Sequence, residues 1–333
     1  MKAVIISGAG GTEVLHIQDV PEPSPGPNEV LVRVIASALN RADILQREGK
    51  YPPPPDAPQQ IPGMEFAGVV SSLGEKAHMW RVGQRVFGIV AGGAHAEYLT
   101  AHERILAEVP ENLSWSEAAA VPEAFITVHD AMWKQAELRP SETVLIHAVG
   151  SGVGLAAVQL ARAMNAVPFG TSRTKDKIES AKPLGLQEGL VSSDGPALAD
   201  ELKDFARSAT GGRGFNVVMD LVGGHYASAS LHALAPRGRM MLVGTMAGRK
   251  SEFDLGAILG KRLRITGTVL RARPLEEKIA VTRSFADEVV PLLARGVLRA
   301  VVDSEFRLSA IRAAHERMES NQTFGKVVIL IGE

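Results

Sequence analysis

The chain has no cysteine among its 333 residues. That removes disulfides, thiolate nucleophiles, iron–sulfur clusters and cysteine-ligated zinc together. It also lacks a dominant charge: 36 Lys and Arg against 37 Asp and Glu leave a formal net charge of −1. A generally polycationic, nucleic-acid-type surface is therefore excluded, although a local basic patch could still hold phosphate. No run of about 18 apolar residues is free of charge, so no transmembrane helix is expected. The start, Met1-Lys2-Ala3-Val4-Ile5-Ile6-Ser7, has too short an apolar run for a signal peptide and reads as a first strand. The expected location is the cytoplasm. There is no P-loop, no GxSxG turn and no HExxH pair. What is abundant is glycine: 33 residues, about a tenth of the chain against an average near 7%, which points to several close-approach turns.

At roughly 100–200 residues per domain, this length implies two domains. The first 120 or so residues are rich in short β-type runs: Val30–Ala36, Gly68–Val70 and Arg85–Val90. Between them lie Pro21-Glu22-Pro23-Ser24-Pro25-Gly26-Pro27 and Tyr51-Pro52-Pro53-Pro54-Pro55, which cannot join a sheet interior and read as ordered surface loops. From about residue 124 strands alternate with helices. Thr143–Ala148, Val167–Thr171, Asn216–Asp220 and Arg239–Gly244 read as strands; helices are expected from the glycine turn to Asn165, over 174–185 and over 225–235. That alternation predicts a parallel, doubly wound α/β sheet with its functional crevice at the strands' carboxyl ends. The last 65 or so residues offer two helical stretches and a final strand, Lys326–Leu330.

The strongest chemical feature is His147-Ala148-Val149-Gly150-Ser151-Gly152-Val153-Gly154-Leu155, between a strand and a helix. Glycines let the backbone turn tightly, and a helix N-terminus offers free N–H groups to a pyrophosphate. Leu155 stands where a strict GxGxxG would place its third glycine; a turn serving only helix–strand packing is the alternative, but the strand, the helix and the further βα units favour dinucleotide binding. The end of the next strand, Gly170-Thr171-Ser172-Arg173-Thr174-Lys175-Asp176-Lys177, should choose between NAD and NADP. Arg173 offers a donor fork for a 2′-phosphate and Lys177 a point charge one turn into the helix, which favours NADPH over a merely solvated helix start.

Elsewhere the chemistry is sparse. His225 and His232 share one helix face rather than forming a metal pair. Glu65 reads either as a buried carboxylate with a role or as a hydrogen-bond acceptor for loop backbone. A bound nicotinamide would make this sparseness tolerable, because the cofactor carries the hydride and the protein supplies orientation.

The order of these features resembles the medium-chain dehydrogenase/reductase superfamily, in particular its zinc-free branch, the zeta-crystallin-like NADPH:quinone oxidoreductases. The segments that carry the resemblance are Ala38–Asp43, Ile61–Gly68, Ala120–Thr127, His147–Ala161 and Phe324–Val328, spread over essentially the whole chain. Asn40-Arg41-Ala42-Asp43, Tyr51 with its prolines and Pro122-Glu123-Ala124 look closest to the branch whose animal member is induced by a tumour suppressor. The resemblance implies a GroES-like, β-rich catalytic domain over 1–123, completed by 265–333, and a Rossmann NADPH-binding domain over 124–264. At the positions of the superfamily's catalytic zinc ligands stand Asn40, Met64 and Glu123, a set that does not suit zinc, so no metal is expected.

By the same resemblance Ser151, Gly152, Val153 and Gly154 would hold the pyrophosphate, and Arg173, Thr174 and Lys177 the 2′-phosphate. Thr127 would lie near the nicotinamide, with Gly244, Thr245, Met246, Val269, Leu270 and Arg271 lining its other side. Ser192 stands where the close branch has a tyrosine against the adenosine. On the substrate side, Asn40 could donate to a quinone oxygen. Asp43 would act there or only orient Asn40 or a loop. Tyr51 could stack on or protonate a flat substrate, or simply pack its proline loop.

Three functions follow: NADPH-dependent reduction of a quinone, reduction of an activated C=C bond in an enone or alkenal, or NADPH binding without catalysis. The first is favoured. A small-molecule acceptor is expected, with no membrane, no nucleic acid and no metal. A homodimer is expected too, through an edge strand near Arg264–Thr268.

Overall fold

The computed structural model describes residues 1–332. They divide into two compact units: Met1–Ile126 continued by the segment from Leu270 onward, and Thr127–Val269.

The first unit is mostly β. Its strands are β1 (Lys2–Ile6), β2 (Leu15–Asp19), β3 (Glu29–Ala38), β4 (Glu65–Leu73), β5 (Arg85–Ile89), β6 (Tyr98–His102) and β7 (Leu106–Glu108). The chain's last part returns β14 (Val302–Arg307) and β15 (Lys326–Leu330) to the same unit. β1 and β2 form an antiparallel pair. The main sheet runs β14-β15-β3-β4-β5-β7, with β6 also on β3. β3 is its centre, buried along nearly its whole length by alternating β-branched residues that pack with Phe66, Val86 and Leu106. A second apolar cluster joins Leu39 and Ile44 to Val327 and Ile329, which fastens β15 beside the start of α1 (Arg41–Arg47). Both proline-rich segments lie outside every strand. Other helices of this unit are α2 (Trp115–Ala119), α9 (Leu275–Glu288), α10 (Val290–Ala294) and α11 (Ile311–Glu319). α3 (Pro122–Val128) carries the chain across residue 126.

The second unit is a six-stranded parallel sheet. Its strands are β8 (Thr143–Ile146), β9 (Val167–Ser172), β10 (Glu188–Val191), β11 (Phe215–Asp220), β12 (Leu234–Leu242) and β13 (Arg264–Gly267). Their order is β10-β9-β8-β11-β12-β13. Counted from β8 this is 3-2-1-4-5-6, the doubly wound order whose direction reverses between the first and fourth strands. The crossovers are α4 (Gly152–Ala163), α5 (Lys175–Ala181), α6 (Leu198–Thr210), α7 (His225–Ala233) and α8 (Leu255–Lys261). Phe169, Phe205 and Phe215 pack between sheet and α6 with ring centroids 5.3 to 6.1 Å apart, Phe169 and Phe205 edge to face.

Several expectations need correction. A domain end at residue 264 would detach β13, which pairs in parallel with β12 as the sheet's edge; the unit runs on to Val269. The helix over 225–235 stops at Ala233 because Leu234 already enters β12 opposite Phe215. The helix over 174–185 is α5 followed by a 3-10 turn, and it ends at Gly185 in a left-handed conformation (φ 109°). Neither β10 nor α6 was expected as a separate element.

Candidate functional site

In the second unit the chain turns between β8 and α4 through Ala148, which adopts φ 51° without being glycine. Ser151 caps α4, its Oγ accepting from Gly154 N–H at 3.0 Å. A Cβ on Gly154 would stand 2.6 Å from the Ala148 carbonyl oxygen and 2.8 Å from Val149 Cα, so this glycine serves the packing of turn on helix. Gly150 differs: a Cβ there would meet the side chain of Lys177 at 2.8 Å. Its bareness lets that lysine lie over the turn. Gly152 and Val153 occupy the first turn of α4, where helical N–H groups have no intrahelical acceptor. Packing and anion approach are thus divided between two glycines of one motif.

β9 ends in Ser172, buried, with its Oγ accepting from Thr174 N–H at 3.3 Å. Arg173 and Thr174 are exposed, and Thr174 is the N-cap residue of α5. The one acid nearby, Asp176, lies in the first turn of α5 and is exposed. Ser192, just past β10, bonds through its Oγ to the Tyr226 phenol at 3.1 Å. The aromatic group at this place therefore comes from α7, which the sequence reading missed. Burial raises the Tyr226 phenol above its ordinary value, opposed by the Ser192 hydrogen bond and by Arg173. Tyr226 also packs edge-on against His147, 5.2 Å away. His147 is fully buried, held by Thr171 Oγ1 at 2.9 Å and Ser230 Oγ at 2.8 Å, and burial lowers its pKa. At the end of β11, Asp220 Oδ1 accepts from Val222 and Gly223 N–H, both at 2.8 Å. Gly244 continues from β12, where a Cβ would collide with the Leu221 carbonyl at 2.3 Å. Thr245, Met246 and Val269 are exposed, and Thr127 is buried on α3.

In the first unit two of the expected catalytic side chains, Asn40 and Asp43, are hydrogen-bonded within the protein. Asn40 donates through Nδ2 to Glu65 Oε1 at 2.8 Å and to Ala38 O at 3.4 Å, and accepts from Lys326 Nζ through Oδ1 at 2.6 Å. Lysine can only donate and a carboxylate can only accept, so this amide orientation is fixed. Both N–H bonds have partners within the protein, where the expected role of Asn40 is donation to a quinone oxygen. Asp43 is fully buried; Oδ2 accepts from Asn40 N–H at 2.7 Å and Oδ1 from Gly63 N–H at 3.1 Å. Of its two expected roles, the contacts are those of orienting Asn40 and a loop. Glu65, also fully buried, pairs with Lys326 Nζ at 2.6 Å and accepts from Glu123 N–H at 2.8 Å.

Lys326, like Tyr226, is a residue sequence reasoning missed. It stands in the segment Phe324–Val328, but nothing local ties a lysine at the start of the last strand to Glu65. β15 pairs antiparallel with β3, and that pairing carries it there. The zinc positions are Asn40, Met64 and Glu123. They offer no imidazole or thiolate, and the Lys326 ammonium already holds Asn40, so this donor set does not fit a zinc ion. Among the described residues no three His, Asp or Glu cluster as metal ligands.

The first unit also holds a cavity of ≈ 1050 Å³. Pro52–Pro55, Ile61, Ile89 and Val90 form apolar wall, and Tyr51, Arg271 and Lys278 are among its polar lining. Tyr51 is half-buried beneath the Arg271 guanidinium, whose carbon lies 5.2 Å from the ring centroid. Burial raises the Tyr51 phenol's pKa, with Arg271 pulling the other way. Leu270 and Arg271 were expected with the cofactor; both belong to the first unit and line this cavity.

Residues 26–111 match the family model described as alcohol dehydrogenase GroES-like domain, and residues 152–286 that of zinc-binding dehydrogenase. A quinone oxidoreductase of Pseudomonas aeruginosa is 32% identical over 99% of this chain and 99% of its own length. The solved Escherichia coli quinone oxidoreductase, complexed with NADPH, superposes with a TM-score of 0.87 at 30% identity, covering 99% of this chain and 100% of that one. A structure described as an NAD-dependent alcohol dehydrogenase gives 0.85 at 30% identity, with both chains fully covered.

Proposed function

The chain belongs to the quinone oxidoreductase family of the medium-chain dehydrogenase/reductase superfamily, and we propose that it reduces a quinone with NADPH, without a metal. The observation that carries this reading is the end of β9. There Arg173 and Lys177 flank a position with no carboxylate, beside the glycine turn that Lys177 overlies. An acid at that position would favour a ribose 2′-hydroxyl, whereas two cations favour a 2′-phosphate. The solved Escherichia coli relative, complexed with NADPH, supports the same choice.

The residues fit the cofactor. Gly152 and Val153 would receive the pyrophosphate at the N-terminus of α4, and Ser151 keeps its hydroxyl hydrogen for donation because its Oγ lone pair serves Gly154 N–H. Arg173, Thr174 and Lys177 would hold the 2′-phosphate, with Tyr226 and Ser192 beside Arg173. NADPH, when bound, supplies a hydride; a quinone takes it up and gains one proton to become the hydroquinone. The apolar walls of the first unit's cavity favour a flat acceptor by excluding water from it. Asn40, Glu65 and Lys326 are the buried brace that holds α1 and β15 in place, outside the chemistry.

The test is a stopped-flow screen of NADPH and NADH oxidation across ortho-quinones, para-quinones and enones. Quinone turnover with NADPH preferred supports the reading. Turnover of enones alone would replace it with C=C reduction, which needs a placed proton; Tyr51, whose phenol burial keeps protonated, is the group for that role, and Tyr51→Phe would then abolish turnover. NADPH binding with no oxidation for any acceptor would leave the non-catalytic alternative.

A further inference from the structure

Arg271 is 4% exposed, yet among the described residues no carboxylate lies within ion-pair distance of it. Its Nε donates to Ala91 O at 2.7 Å, Nη2 to Gln46 Oε1 at 2.6 Å, and Nη1 reaches Tyr51 O at 3.5 Å. A guanidinium carries five N–H bonds, so these three acceptors leave one on each Nη uncommitted. The attraction it feels comes from Asp43, whose two oxygens are already taken by backbone N–H groups. Lys278, on the wall of the same cavity, is half-buried and adds to the positive field, with Asp56 its opposing charge. Burying a cation without an anion is costly, and an anion brought against its uncommitted N–H bonds would offset that cost. The planar fork of Arg271, stacked over Tyr51 and open toward an apolar cavity of ≈ 1050 Å³, is shaped for two oxygens on a flat ring.

We infer that this cavity selects aromatic acceptors that carry an anionic group, a carboxylate or sulfonate, gripped by Arg271 over the Tyr51 ring. For turnover this rests on the quinone reading; for binding it stands alone. Two measurements separate the two. In the first, steady-state NADPH oxidation compares ortho-naphthoquinone with its ring sulfonate. The sulfonate is expected to have a KM lower by roughly tenfold or more, the scale of one charged hydrogen-bonded contact. Arg271→Gln should bring the two KM values together. Arg271→Lys, which keeps the charge and loses the fork, should fall between. In the second, calorimetric titration of the protein with naphthoate and with its methyl ester needs no turnover. Naphthoate should bind at least roughly tenfold more tightly than the ester. Equal affinities, or a preference that persists in Arg271→Gln, would overturn the inference. If neither quinone is reduced while naphthoate still outbinds its ester, the quinone reading fails and the anion site stands. Should Arg271→Gln not fold, the wild-type ratios and Arg271→Lys decide the question.

Discussion

The second unit makes its candidate binding groups from short local segments: a helix N-terminus, a bare glycine and two cations four residues apart, Arg173 just past β9 and Lys177 in α5. The first unit gathers its charged groups from distant segments, joining Asn40 and Glu65 to Lys326, and Gln46 and Tyr51 to Arg271. One site is written by backbone geometry and leaves a local pattern. The other is written by strand pairing and return of the chain, and each member looks ordinary where it stands. The two also differ in what sustains them. The turn depends on the absence of Cβ atoms, whereas the brace depends on buried charges that must stay matched.

The largest effect should come from unmatching that brace. Lys326→Met leaves Glu65, fully buried, without its cation, and removal of one partner of a buried pair costs about 3–5 kcal/mol. Urea unfolding followed by tryptophan fluorescence should show the loss. Lys326→Met with Glu65→Gln should recover most of it, since the uncompensated charge is then gone. A double variant as unstable as the single one would mean that packing, not charge, holds β15 against β3.

A second break is by pH. His315 is fully buried near Arg47 and His95, its Nε2 has no partner, and burial lowers its pKa to about 3. The unfolded chain, with a histidine near 6.5, binds a proton that the folded chain refuses, so stability is complete above that value and falls as pH drops below it. By pH 5 this one residue accounts for a loss of about 2 kcal/mol. In His315→Leu the stability difference between pH 7 and pH 5 should shrink by that amount. An unchanged difference would assign the acid sensitivity to other groups, such as His95 in this unit or His147 in the second, both also lowered by burial.

The contrast explains what was legible. Alternation from Thr143 onward, the turn at Gly150–Gly154 and the stop at Gly185 rest on local rules, and the sheet, α4 and α5 follow from them. β13 was visible as an edge strand but assigned to the wrong side of a boundary, because only its pairing with β12 decides membership. Asn40 was singled out as a donor toward a substrate, yet its partner Lys326 lies 286 residues away and left no local sign. Tyr226 was hidden for the same reason: α7 reaches Ser192 only once β10 and β11 are set in one sheet.

In the second unit the sharpest test is of the β9 end. Arg173 is exposed, so water screens its contact and the low end of the range for charged hydrogen bonds applies, about 1.5 kcal/mol. Arg173→Ala should lower kcat/KM for NADPH roughly tenfold with little change for NADH. Adding Lys177→Ala should deepen the shift. A preference untouched by both would remove the 2′-phosphate assignment and make NADH the cofactor to test next.

The smallest effect separates nucleotide contact from internal support in that unit. Tyr226→Phe deletes one 3.1 Å hydrogen bond to Ser192 and keeps the ring against His147. The expected loss of stability is about 1 kcal/mol, because the Ser192 hydroxyl is left buried without that partner. Ser192→Ala should cost a similar amount, and the double variant little more than either alone, since the two share one interaction. If the phenol serves only Ser192, the KM for NADPH stays level through all three variants. A KM that rises in Tyr226→Phe but not in Ser192→Ala would place the phenol in contact with the nucleotide. α7 would then join the turn and the β9 end as a third part of the site, one supplied by a distant helix in the manner of the first unit.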